Sequence, residues 1–403
     1  MDSRKLEGLA EVVNEFQSSL KNILNEHQEF HKALDDEDPH KFYGLGEQPA
    51  SYFVSLSEIL FWIDSKGYIN ELDAWNGFKV QETHQEISDY LQETEQYIVF
   101  SELVEAVKRK RITPFVGAGL SEPCKFPLWR QTIEKLVVKF EDISASQQRA
   151  NLPALIYLDE VKGLLSKRKY LEAVQILYEN DKTQVENYIR NTFSLPTDGQ
   201  TLRERIKGPI EILPDIANGC IITTNFDRLI EETYRKRNRP IEGYMHGIQD
   251  QNKFVTSLIQ GERCILKLHG NVANQNTYIF SQQQYRDAYG EDIDFTKPLA
   301  KTLRQIFISS SLLFIGCSLE QDRTLDLFSA VVNSNEFEIP DHFAILNKPT
   351  SHSEMAAKEN RLLEMKIRPI WYDVDSDGKH TKFEKLLKFI ADCSNGMARL
   401  RGF

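Results

Sequence analysis

Two glycines and a serine end an apolar run at Ile112-Thr113-Pro114-Phe115-Val116-Gly117-Ala118-Gly119-Leu120-Ser121, an order of residue types that suits phosphate binding. A short continuous apolar run is how a strand of a buried parallel sheet reads. Glycines at its end let backbone N–H groups approach a pyrophosphate at the start of the following helix. The third glycine of the dinucleotide fingerprint is missing, so taken alone the turn serves equally as a tight strand-to-helix link. Three further apolar runs end in polar groups. Cys220-Ile221-Ile222 leads into Thr223-Thr224-Asn225-Phe226-Asp227, Cys264-Ile265-Leu266 into Lys267-Leu268-His269-Gly270-Asn271, and Leu312-Leu313-Phe314-Ile315 into Gly316-Cys317-Ser318-Leu319. Ligands of open α/β sheets bind beyond the carboxyl ends of the strands, so four such ends describe the rim of one crevice. Histidine can exchange a proton near neutrality, but a lone histidine at a strand end, such as His269, reads first as a hydrogen-bonded structural residue.

The elements around these motifs alternate. Phe343-Ala344-Ile345-Leu346 reads as a strand, Met355 to Met365 as a helix, Arg368-Pro369-Ile370-Trp371-Tyr372 as a strand, and His380 opens a closing helix with Phe383, Leu386, Leu387 and Phe389 on its apolar face. This predicts an α/β fold, a Rossmann-like doubly wound parallel sheet. Residues of about 130–205 keep helical spacing and form a helical insertion. Residues 1–100 carry helical stretches over 4–34, about 50–64 and about 81–107, and read as an N-terminal helical module ahead of a domain spanning 101–403. The run Lys108-Arg109-Lys110-Arg111 reads as a solvated helix end whose cations suit the C-terminal dipole.

The net charge of −11 is unevenly placed, with 20 acidic against 7 basic residues in 1–100 and 40 against 42 in the remainder. An acidic N-terminal part argues against nucleic acid as its direct ligand. No apolar run reaches the roughly 18 residues that would cross a bilayer, and the N-terminus has no secretory pattern, so a cytoplasmic protein without a membrane span is expected. Cys124, Cys220, Cys264, Cys317 and Cys393 are dispersed, with no Cys-x-x-Cys pair, and no metal is expected.

The Gly-Ala-Gly-x-Ser turn at Gly117–Ser121, the Thr-x-Asn-x-Asp block at Thr223–Asp227, the Leu-His-Gly block at Leu268–Gly270 and the Gly-x-Ser-Leu block at Gly316–Leu319 together resemble the sirtuin family in order and spacing. The resemblance covers roughly residues 105–390. It implies NAD as substrate, with Asn225 binding the ribose or orienting water and His269 binding ribose hydroxyls as a base. It places Gly117, Ala118, Gly119, Ser121, Thr224 and Asp227 around the cofactor, and Gly316, Ser318 and Asp322 on its adenosine half; Asp322 is equally well explained as a helix cap.

Phe126-Pro127-Leu128-Trp129 departs from the loop of deacetylating sirtuins and is similar to that of sirtuin-like NAD hydrolases; Trp129 itself reads as wall or core more than as a stacking residue. The helical insertion stands where zinc-containing sirtuins place their metal module. The resemblance therefore implies an NAD hydrolase releasing nicotinamide and ADP-ribose, of the type of bacterial anti-phage effectors that deplete NAD in abortive infection. The alternatives are an NAD-dependent protein deacylase and a non-catalytic module sensing NAD or ADP-ribose. Such an activity needs restraint, which implies a homo-oligomer assembled through residues 1–100, with a partner ATPase or a phage-derived trigger.

Overall fold

The computed structural model describes residues 27–35, 39–247, 250–320 and 323–400. The chain divides into two compact units, Met1–Thr83 and His84–Phe403. Most of the helix expected over 4–34 lies outside the described residues; α1 (Gln28–Leu34) is its described part.

The first unit is not purely helical. Strands β1 (His40–Tyr43) and β2 (Ser51–Val54) pair as an antiparallel hairpin, with Phe42 opposite Tyr52. The helix expected from about residue 50 starts only at Leu56 (α2, Leu56–Ile63), because Ser51-Tyr52-Phe53-Val54 finds a strand partner and aromatic and β-branched residues favour a pleated ribbon. Helix α3 (Ser65–Thr83) follows. Its Tyr68 meets Phe30 edge-on at 5.4 Å and Phe61 at 5.2 Å, forming a small aromatic core. The Asp35 carboxylate accepts hydrogen bonds from the Ser57 amide and hydroxyl at 2.7 and 2.9 Å.

The stretch expected as one helix over 81–107 breaks twice. The chain turns at His84, and Glu95 adopts a left-handed φ of 58° between α4 (Gln85–Glu93) and α5 (Tyr97–Lys108). Both helices belong to the second unit. There the His84 ring stacks on Phe389 at 4.7 Å and hydrogen-bonds Asp392 at 2.7 Å, and Phe100 also stacks on Phe389.

The second unit is built on an eight-stranded sheet in the order β10-β9-β8-β3-β4-β7-β5-β6. The strands are β3 (Ile112–Val116), β4 (Cys220–Thr223), β5 (Gly243–His246), β6 (Asp250–Asn252), β7 (Cys264–Lys267), β8 (Ser311–Ile315), β9 (His342–Asn347) and β10 (Ile367–Tyr372). Every pair is parallel except β5 with the edge strand β6. The central strands are buried on both faces, which is why they read as unbroken apolar runs. At the other edge, Tyr90 and Gln96 donate to the Trp371 carbonyl at 3.1 and 3.0 Å, occupying part of the exposed ladder of β10.

The insertion is helical as expected: α6 (Trp129–Arg149), α7 (Leu158–Ser166), α8 (Tyr170–Phe193) and α9 (Gly199–Arg205). Helices α10 (Leu229–Lys236), α11 (Gln282–Tyr289), α12 (Pro298–Ser309), α13 (Arg323–Asn333), α14 (His352–Glu364) and α15 (Thr381–Ser394) complete the layers. From β3 the chain steps to β4 on one side, and later from β8 to β9 on the other. The carboxyl ends of β3 and β8 are therefore the topological switch point of the sheet. Lys108 to Arg111 lie at the amino end of β3, a whole strand away from that point.

At the start of β9, the buried His342 stacks on Phe307 at 4.2 Å, and its Nδ1 accepts the Leu312 amide at 3.0 Å. Burial pushes this imidazole down from 6.5 to about 3. The folded state thus holds the neutral ring, so this contribution to stability is complete above about pH 6.5 and is lost as pH falls from there toward 3. Urea denaturation at pH 7 and pH 4.5 should show a smaller acid loss for His342→Gln than for the native chain.

Candidate active site

The turn after β3 is shaped by contact with the loop after β8. The Gly117 amide donates to the Ile315 carbonyl at 2.9 Å and the Gly119 amide to the Gly316 carbonyl at 2.9 Å. A Cβ on Gly117 would stand 2.4 Å from the Gly316 oxygen, and Gly316 itself has a φ of +65°. Two N–H groups expected to face a pyrophosphate are therefore spent on joining two strand ends. The turn continues into two short 3₁₀ turns, Ala118–Leu120 and Glu122–Cys124, and the next α-helix begins only at Trp129.

From this junction a buried polar chain runs under the rim. Asn225 Nδ2 donates to the Gly117 carbonyl at 3.1 Å and to Ser121 Oγ at 2.9 Å; Ser121 Oγ donates to Asp227 Oδ2 at 2.9 Å, and Asp227 Oδ1 accepts the Leu229 amide at 3.0 Å. Because a carbonyl can only accept, these bonds fix the amide orientation of Asn225 and leave Oδ1 as its acceptor end. Thr224 lies beside it, with Oγ1 3.5 Å from that oxygen. Burial pushes the Asp227 carboxyl above the usual carboxylate range, against the pull of the Lys267 ammonium and two hydrogen bonds.

His269 lies two residues beyond the end of the neighbouring strand β7. Its Nε2 lies 2.7 Å from the Tyr285 hydroxyl of α11, and its ring sits 5.4 Å from that of Trp129, which packs edge-on against Phe280. Trp129 is thus a wall of the histidine's surroundings. The His269 carbonyl accepts the Ile279 amide at 3.0 Å, so the following loop folds back on its own strand. That fold needs Gly270, whose φ is +94° and where a Cβ would stand 2.2 Å from the Thr277 carbonyl. At the end of β5, His246 Nδ1 lies 3.4 Å from Asn271 Nδ2.

Exposure is graded along the rim. Ser318 is exposed, Ala118, Gly119, Thr224 and Gly316 are half-buried, and Asn225 and His269 are only 6% and 5% exposed at its deep end. Asp322 lies outside the described residues. Two side chains of α14 hold the loop that carries Ser318: Lys358 Nζ donates to the Ser318 carbonyl and Arg361 to that of Leu319, each at 2.6 Å. Burial lowers the Lys358 ammonium from its usual range.

Residues 219–370 match the family model of the SIR2-like domain. A Bacillus cereus protein named NAD(+) hydrolase ThsA is 22% identical over 252 residues, covering 62% of this chain and 46% of the relative. The Acinetobacter baumannii protein of the same name is 23% identical over 259 residues, with 64% and 46% covered. Defense-associated sirtuin 2 of Bacillus subtilis is 22% identical over 222 residues, with 54% and 19% covered. The matched stretch thus spans under half the length of each relative.

The match begins beyond the glycine turn, yet Asn225, within the matched residues, is bonded directly to Gly117 and Ser121. A cavity of about 1080 Å³ elsewhere, lined by Glu105, Arg109, Arg111, Ser311 and Arg399 among others, touches none of the site residues. Chemistry and not volume marks the site. Among the described residues no cluster of metal-ligating side chains occurs, all five thiols are free, and no helix is long and apolar enough to cross a membrane. Lys267 was visible only as the first residue of the polar block after its strand, with no role attached to it, and Tyr285 was not legible, because nothing in its local sequence signals a long-range partner.

Gly117→Ala should destabilise the chain by about 1–3 kcal/mol, the usual range for overpacking, and Gly119→Ala, whose Cβ would stand 3.0 Å from the same oxygen, by less. Thermal denaturation of the two variants checks the order.

Proposed function

We propose that the rim formed by Gly117–Ser121, Thr223–Asp227, His269 and Gly316–Ser318 hydrolyses NAD to nicotinamide and ADP-ribose, and that the protein is an anti-phage effector acting by NAD depletion. The observation that carries this reading is the locked orientation of Asn225. Nicotinamide in NAD is already a cationic leaving group. It departs with the electrons of the bond to the ribose carbon, leaving an oxocarbenium-like sugar, so little general acid is needed. What remains is to hold the ribose and deliver water. An amide whose Oδ1 must accept suits a ribose hydroxyl or the attacking water, and an imidazole held by Tyr285 suits the proton that the water gives up. The balance is NAD plus water to nicotinamide, ADP-ribose and a proton. The names of the relatives support the same chemistry, and no resident metal is required for it.

Nicotinamide and ADP-ribose should form from NAD without any peptide. His269→Ala should slow this by roughly 100-fold or more, since a general base contributes about 100- to 10,000-fold. Asn225→Ala should fall similarly and Tyr285→Phe less. Chromatography of the products checks all three, and turnover only with an acetylated peptide would favour deacylation.

Residues 1–100 are proposed to assemble the enzyme into a homo-oligomer under the control of a partner ATPase or a phage-derived trigger. Support comes from the hairpin, where Phe42 and Tyr52 on one face and Tyr43 and Phe53 on the other are all more than half exposed, apolar area of the kind proteins bury on association. Phe42→Glu with Tyr52→Glu should give a smaller species in sedimentation velocity; an unchanged mass would place the contact elsewhere.

A further inference from the structure

The buried charge that the proposed hydrolysis does not use is Lys267. It is the last residue of β7, two before His269, and its side chain is 0% exposed. Its Nζ contacts the Asp227 carbonyl closely, lies 3.5 Å from the Phe226 carbonyl and pairs with Glu231 Oε1 of α10 at 3.1 Å. Its own carbonyl accepts the Gly247 amide at 2.8 Å and the Gly270 amide at 3.3 Å. An ammonium out of water costs several kcal/mol unless its partners are well placed, and an apolar residue of similar volume would pack at least as well. The partners it has are the loop behind Asn225.

We propose that Lys267 is a positioning residue that ties the loop carrying Asn225 to the strand carrying His269, so that both proposed groups are set by one side chain. The proposal rests on the reading of Asn225 and His269 as the reacting pair. The path is short. Lys267 holds the Asp227 backbone, the Asp227 carboxylate holds Ser121 Oγ, and Ser121 Oγ holds the Asn225 amide. A shift of Asp227 would release the amide orientation that makes Oδ1 an acceptor. The titratable groups that act on or respond to Asp227 are Lys267 from β7, Glu231 from α10 and Cys124 from the turn after β3. Protonated, Asp227 would be a poorer acceptor for Ser121. The Lys267 cation favours its ionised form and the Glu231 anion opposes it.

The test uses the full chain with Lys267→Met, Glu231→Gln and the double variant. Misplacement of a reacting group by about 1 Å is worth up to roughly 100-fold in rate, so kcat for nicotinamide release should fall at least about tenfold in Lys267→Met and in the double variant, with KM changing by less than about threefold. The acid limb of the pH profile should move to higher pH in Lys267→Met and to lower pH in Glu231→Gln, opposite signs that loss of packing alone would not produce. Should Lys267→Met fail to fold, Glu231→Gln, which changes charge with little change in volume, still reports its sign. Hydrogen exchange of the 224–229 amides needs no turnover and should speed up in the double variant while β9 and β10 stay protected. A native chain that releases no nicotinamide would sink the hydrolase reading, whereas the exchange result would still judge Lys267. Unchanged kcat, unmoved acid limbs and native protection of 224–229 in the variants would overturn the proposal.

Discussion

The close approach of two backbone turns at the switch point of the sheet is the constraint on which the rest of the site depends. The Gly316 carbonyl accepts the Gly119 amide and leaves no room for a Cβ at Gly117. Strands β3 and β8 are neighbours whose chains leave in opposite directions, so the loops beyond them must separate or pack with bare backbone between them. Here they pack. The Gly117 carbonyl is then placed to accept from Asn225, and the polar chain through Ser121 and Asp227 starts from that point.

Low dielectric makes that chain more than a set of contacts. Asn225 is 6%, Asp227 3% and Ser121 2% exposed, and a buried polar group without a partner costs about 1–3 kcal/mol. Each group here has its partner, so the loop after β4 has one arrangement instead of several. The ammonium of Lys267 extends the same logic to the next strand. It connects the loop after β4 to the strand end that carries His269 through electrostatics, where an apolar side chain could only fill space.

Aromatic rings finish the other side. Trp129, at the start of the helical insertion, and Tyr285, on α11, both meet His269, although 156 positions separate them in the chain. The insertion thus belongs to the surroundings of the histidine and is not only a decoration of the sheet. The loop folded back at Gly270 brings Phe280 and Tyr285 to that position.

Much of this was legible before any tertiary contact was known. Strands buried on both faces are apolar at most positions, so the stretches within Ile112–Val116, Cys220–Thr223, Cys264–Lys267, Ser311–Ile315, His342–Asn347 and Ile367–Tyr372 stand out as runs, and the polar residues at their ends mark the rim. Asn225 and His269 were visible in that way, as were the helices of residues 129–205. Other elements were not. The hairpin of the first unit has exposed faces and so no burial pattern, and its Phe53 falls by chance into helical spacing with the residues of α2. Strand β5 reads Gly-Tyr-Met-His, with a glycine at one end, a histidine at the other and no unbroken apolar run between. Periodicity reports which side of an element is dry, and a sequence therefore determines its buried strands and the residues at their ends. Which of those residues touch is set by distances across the sheet, so the use of the glycine amides, the orientation of Asn225, the pairing of His269 with Tyr285 and the place of Lys267 were decided only by the tertiary structure.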